Sequence, residues 1–187
     1  MFPSHDQWGV VNTSSEVIVN GNLSLNEFNG VLQLNNNSTE YYGCDVLLKA
    51  GIYSKIELPY KNRNSTSDPA YLYGIILDQD NNTIAYSRLY VGQNAATEGT
   101  FTITFSSEVL IETTDVYQIV IGRRKWNNTT RRAEIFHKDV NSSNGSVWVA
   151  YGSSNPSLNT DDTSAIDWST INKQNFNRIP KGLIYKF

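Results

Sequence analysis

"GTFTITFSSEVLIETTDVYQIVIG", from Gly99 to Gly122, decides the fold class. Its first half alternates strictly: Phe101, Ile103 and Phe105 share one side, Thr102 and Thr104 the other. A period of two places successive side chains on opposite faces of a pleated strand, so the apolar set looks inward and the threonines outward. The polar run around Glu112 to Asp115 then turns the chain. "DVYQIVIG" follows, with Tyr117, Ile119 and Ile121 on one face and Val120 on the other. A β-branched segment that is apolar on both sides reads as a central strand.

The same signal extends in both directions. "EVIVNGNLSL" and "GVLQLNN" alternate, and "DVLLKAGIYSKIELPY" carries Ile52, Ile56 and Leu58 on a common side. "AYLYGIILDQDNNTIAYSRLYV" is two strands about a polar turn at Gln79 to Asn82, a hairpin pattern. "AEIFHKDV", "SVWVAYG" and "KGLIYKF" complete the set. No window keeps a helical period. Short strands recurring between turn residues indicate an all-β antiparallel sandwich or barrel. The spacing predicts an arm over residues 1–15 and one sandwich domain over 16–187, with a loop-rich segment at 152–180. One helical turn is expected there, at Asp167 to Ile171. Trp8 and Trp168 lie in these irregular ends, tacking them onto the sandwich or onto a neighbouring subunit.

Composition narrows the function. The chain has 187 residues, a formal net charge of −3 and only 18% charged residues, so no overall field draws it to nucleic acid or to an anionic membrane. No stretch approaches the roughly 20 apolar residues of a membrane span. The start, "MFPSHDQWGVVNTSSE", lacks a basic region followed by an apolar run, and reads as a native start without a secretory leader. Sequons recur from Asn12 to Asn144, a density that would suggest glycosylation in a secreted chain but that chance also produces in one so rich in Asn, Ser and Thr. Cys44 stands alone within a strand and reads as a buried structural thiol.

Catalytic motifs are missing: no G-x-S-x-G, no phosphate-binding glycine loop, no H-E-x-x-H and no C-x-x-C. Glu57, Asp78, Glu108, Glu112, Asp115 and Glu134 are available as carboxylates, but nothing pairs two of them across a cleft. No enzymatic activity and no cofactor are expected. Asp78, Asp80 and Asn82 have the opening of a calcium loop, yet Thr83 and Leu89 occupy the positions of its glycine and its bidentate glutamate. The plain reading is a capped hairpin turn. A calcium site here, or near Asp161 and Asp162, is the competing one.

Aromatic residues make up 12% of the chain. Sugars present apolar C–H faces, which exposed rings cover while Arg, Asn and Asp hold the hydroxyls. Tyr86, Arg88 and Tyr90 share one strand face, as do Tyr71 and Tyr73. The competing reading packs these rings inside the sandwich. Farther on, "GRRKWNNTTRR" concentrates Arg123, Arg124, Lys125, Arg131 and Arg132 around Trp126. The apolar alternation stops at Gly122, so the strands are expected to run beyond the sandwich edge into a projecting hairpin. That hairpin suits a solvated tip, a glycan or anion site, or a contact with an acidic neighbouring subunit. Arg123, Arg124, Trp126, Tyr86, Arg88 and Tyr90 are the candidate ligand-binding residues.

The order from Ile52 to Gly152 resembles the jelly-roll modules of phage appendage proteins and bacterial surface proteins, which are similar to carbohydrate-binding modules. Phe101, Phe105, Val109, Leu110, Tyr117, Ile119 and Ile121 carry the resemblance, with Trp148, Tyr151 and Gly152 behind them. It implies a jelly-roll β-sandwich and a non-catalytic module of fibre, tail or head-decoration type at the extracellular virion surface. Such a module binds cell-surface glycan or polysaccharide, as a homo-oligomer or beside other virion subunits. The alternative is a purely structural virion subunit, buried in an oligomer without a ligand.

Overall fold

The computed structural model describes residues 8–11, 16–20, 30–34, 40–63, 70–91, 97–124, 133–139, 147–151, 166–176, 178–180 and 183–186. Regular structure among them is entirely strand: β1 (Trp8–Val11), β2 (Glu16–Asn20), β3 (Gly30–Leu34), β4 (Glu40–Leu48), β5 (Gly51–Arg63), β6 (Ala70–Leu77), β7 (Thr83–Val91), β8 (Gly99–Ile111), β9 (Asp115–Arg124), β10 (Ala133–Asp139), β11 (Val147–Tyr151), β12 (Gln174–Asn175), β13 (Arg178–Pro180) and β14 (Leu183–Lys186).

Two antiparallel sheets form. The six-stranded sheet runs β12-β11-β4-β9-β6-β7. The eight-stranded sheet runs β1-β2-β14-β5-β10-β13, with β3 on β10 and β8 on β5. β9 is a central strand, as its two apolar faces require: β4 pairs along one edge and β6 along the other. The backbone of Trp8–Val11 pairs with β2 at an end of the larger sheet.

The inward faces close on one core. From the larger sheet come Ile56, Leu58, Phe101, Ile103, Phe105 and Ile135; from the smaller, Val46, Leu72, Tyr117, Ile119, Ile121 and Val149. All are buried. Opposite Ser54 the β5–β8 register shifts, and Phe105 to Glu108 form a bulge before Val109 returns to the inside. At the open side of the sandwich, Ser87 Oγ of β7 donates a hydrogen bond to the Thr104 carbonyl of β8. Cys44 points into this core, and burial pushes its thiol far above the ordinary range, so it stays protonated and inert.

A second apolar layer lies on the outer side of the six-stranded sheet. Tyr41, Tyr73, Ile75, Leu77, Val120, Trp148 and Ala150 are covered there by Ile166, Trp168 and Ile171. The covering segment is a single turn rather than a helix. Thr170 N–H donates to the Asp167 carbonyl at 3.2 Å, while Asp167 Oδ1 accepts from Ser169 N–H at 3.1 Å. Trp168 therefore tacks the irregular C-terminal segment onto its own sandwich, and it is almost wholly buried in doing so. The side chain of Trp8 lies outside the described residues.

Candidate ligand-binding face

The outer side of β6, β7 and β9 carries the aromatic residues, and the strand register sets their order. Tyr71, Tyr73 and Ile75 of β6 stand opposite Tyr90, Arg88 and Tyr86 of β7. On the other edge of β6 they stand opposite Arg124, Gly122 and Val120 of β9. The rings do not fill the sandwich interior: they line the opposite face of the sheet. Ile75, Leu77 and Tyr73 are buried beneath the Ile166–Ile171 turn, Tyr71 and Tyr86 are half-buried, and Arg88 and Tyr90 emerge, Tyr90 with 56% exposure.

Each exposed group rests on a less exposed one. Tyr86 stacks on Tyr73 with centroids 6.0 Å apart and planes 20° apart. Tyr90 meets Tyr71 edge to face at 5.7 Å and 73°. The Arg88 guanidinium lies 5.0 Å above the Tyr71 ring. These contacts restrict the rotamers of Tyr86, Arg88 and Tyr90. Beneath them, burial pushes the Tyr41 hydroxyl well above the usual phenol range, with Tyr73 adding to it, so no negative charge develops there.

At the other end of the face, the Asp78–Asn82 turn meets the Asp167 turn. Together they line a polar cleft of about 470 Å³, which includes Asp80, Asn82, Thr83, Asp167 and Ser169. The turn is closed by its own carboxylate. Asp78 Oδ1 accepts from Asn82 N–H at 2.7 Å and Oδ2 from the Asn82 side-chain amide at 2.8 Å. Asn81 takes the left-handed conformation, φ 66°, that Asn tolerates. Both oxygens of Asp78 thus serve the hairpin. Among the described residues no group of three His, Cys, Asp or Glu side chains converges on a metal position. Asp161 and Asp162 lie outside the described residues.

Beside this cleft lies a cluster that the sequence did not announce. Lys173 Nζ donates to Asn81 Oδ1 at 2.6 Å and to Gln118 Oε1 at 3.2 Å, and sits 4.8 Å from the centre of the Trp148 ring. Trp148 Nε1 donates to the same Gln118 oxygen at 3.3 Å. Asp45 interacts electrostatically with Lys173 from β4. No sequence spacing could have joined Lys173 to Asn81, which are 92 residues apart.

Of the six candidate residues, Tyr86, Arg88 and Tyr90 come together on one accessible face. Arg123 does not join them. β9 is still paired on both edges at this level, to Glu40 of β4 and Leu72 of β6, and Arg123 is fully buried on the face that looks into the sandwich. The expectation that the strands leave the sandwich after Gly122 is corrected accordingly. Apolar alternation ends there, but the partner strands extend farther. Arg124 is opposite Tyr71 in register, and its side chain lies outside the described residues, as do Trp126 and the rest of 125–132. Of the available carboxylates, Glu57 pairs with Lys55 at 2.8 Å and Asp115 accepts from Gln79 at 2.6 Å.

No protein family matches the chain, and neither a curated protein nor a solved structure matches it.

Proposed function

We propose that this protein is a non-catalytic glycan-binding module of jelly-roll type that serves attachment from a virion appendage. The observation that carries the reading is the half-open aromatic face, on which Tyr90 and Arg88 project from supports on Tyr71. A sugar ring laid on Tyr90 finds an apolar surface, and Arg88 offers charge-assisted hydrogen bonds to a carboxylate or hydroxyl substituent. The polar cleft at the far end of β7 supplies Asp and Asn groups for further hydroxyls along a chain of sugars. The jelly-roll assignment draws support from the connections: β4, β5, β6, β8, β9, β10 and β11 pass alternately between the two sheets. The virion setting and assembly with like or other virion subunits rest on the resemblance to phage appendage modules.

The test is binding of the purified chain to a panel of bacterial surface polysaccharides, with Tyr90→Ala and Arg88→Ala alongside. Loss of retention in both variants, with unchanged folding, supports the reading. Retention that survives both substitutions, or none by the parent chain on any glycan, overturns this site.

A second reading, a purely structural virion subunit, draws on Leu110 and Ile84, exposed at 60% and 41% beside a cleft shared by β7 and β8. A homo-oligomer whose mass falls to that of a monomer in Leu110→Asp favours it. A parent chain that is already monomeric removes this support.

A further inference from the structure

We propose that the folded chain joins Lys173 to Asn81 by an intramolecular side-chain amide bond. The reacting atoms are already adjacent: Lys173 Nζ is 2.6 Å from Asn81 Oδ1, hence next to the carbonyl carbon that bears it. Independent anchors hold each partner. Asn81 is fixed by the hairpin turn, where its N–H donates to the Asp78 carbonyl at 3.2 Å and Asp78 grips Asn82 on both oxygens. Lys173 is fixed by Gln118 and by the Trp148 ring, between the buried Ile171 and the pairing of β12 with β11. Holding a nucleophile and an acyl carbon in this way removes much of the entropic barrier to their reaction.

The protonation states fit the chemistry. Burial lowers the Lys173 ammonium below its usual range, only partly opposed by Asp45. Burial likewise raises the Asp45 carboxyl, again only partly opposed by Lys173. Both shifts favour the uncharged forms, and the neutral amine is the form that attacks a carbonyl carbon.

The step balances without a co-reactant. The Lys173 nitrogen attacks Asn81 Cγ and a C–N bond forms. The bond from Cγ to the side-chain amide nitrogen breaks, and that nitrogen leaves as ammonia. The proton it gains is the one that the attacking nitrogen sheds. No oxidation state changes. Gln118 is the competing acyl group, but its oxygen is farther from Lys173, at 3.2 Å, and also accepts from Trp148. The product would lock the segment that carries Trp168 across the outer face, tying β12 to the β6–β7 turn.

Intact mass of the purified, denatured full chain tests this directly. The expected result is a mass below the sequence value by one ammonia, with a proteolytic digest yielding one branched species that joins the Asn81 peptide to the Lys173 peptide. Lys173→Arg, checked for folding by circular dichroism, is expected at full sequence mass. A folded parent chain at full mass overturns the proposal. So does an ammonia loss without joined peptides, which marks a succinimide, or a branch mapped to Gln118.

Discussion

Trp168 donates its indole N–H to Thr83 Oγ1 at 3.1 Å, closing a span of 85 residues. The same ring meets Tyr41 edge to face at 5.2 Å. Trp168, with Ile166 and Ile171 on either side, therefore seals the outer face of the six-stranded sheet. Trp168→Ala is expected to cost about 3–5 kcal/mol, the range for truncating a buried large aromatic residue. Trp168→Phe keeps most of the apolar contact and strands Thr83, at about 1 kcal/mol. Urea unfolding of the two variants measures both, and equal losses would show that packing at this position is not the main term.

Tyr90 is the contrasting case. Its ring is mostly exposed, and its packing is confined to one side of the ring. Tyr90→Ala is expected to lower stability by no more than about 1 kcal/mol, the value of an aromatic pair. Glycan retention, by contrast, should fall at least tenfold. Loss of several kcal/mol in a melt would mark Tyr90 as structural.

Gly43 stands opposite Trp148 in the β4–β11 register, and the Trp148 ring lies across the space that a Cβ would occupy. Gly43→Ala forces that ring aside, together with its bonds to Gln118 and the cation above it. The expected cost is about 1–3 kcal/mol, as for an overpacked core. Denaturant midpoints check the size, and a lost Trp148 fluorescence signature checks the cause.

His137 supplies a pH dependence. Its ring is buried against Gly30, its Nε2 lies 3.2 Å from Asp139 Oδ1, and Arg178 approaches the same carboxylate at 3.6 Å. Burial is the largest influence and lowers its pKa below 6.5, with Asp139 opposing and Arg178 reinforcing. The unfolded chain thus binds the proton more readily. The contribution of neutral His137 is complete above the unfolded value and is lost as pH falls through it towards the folded one. Stability should decline as pH falls below about 6.5, and His137→Gln should flatten the decline. An identical slope in the variant would assign the decline to other groups.

Much of the sandwich was legible because period-two alternation is a local signal. Phe101, Ile103 and Phe105 declare an inward face without reference to any partner strand, and Val120 beside Ile119 declares a central one. Tyr86, Arg88 and Tyr90 were legible as one face, but not which way it looks. β6 is apolar on both sides, and only the arrival of Ile166, Trp168 and Ile171 explains the outer one. Arg123 misled for a related reason. Its burial depends on how far β4 and β6 extend beside it, a property of pairing rather than of its neighbours in sequence. Gly43 and the Lys173 cluster gave no signal, since both are contacts between distant segments.

The closing position of the C-terminal strands also governs how the protein must be made. β2 pairs with β14, and the turn that covers Tyr73 and Trp148 follows both of them in sequence. During synthesis the outer aromatic layer of the smaller sheet, and part of one edge of β5, therefore wait uncovered until residues 166–186 emerge. Pairings of such long range form slowly and leave sticky intermediates. A chain without residues 166–171 would keep most of its strands and leave Tyr73 and Trp148 uncovered.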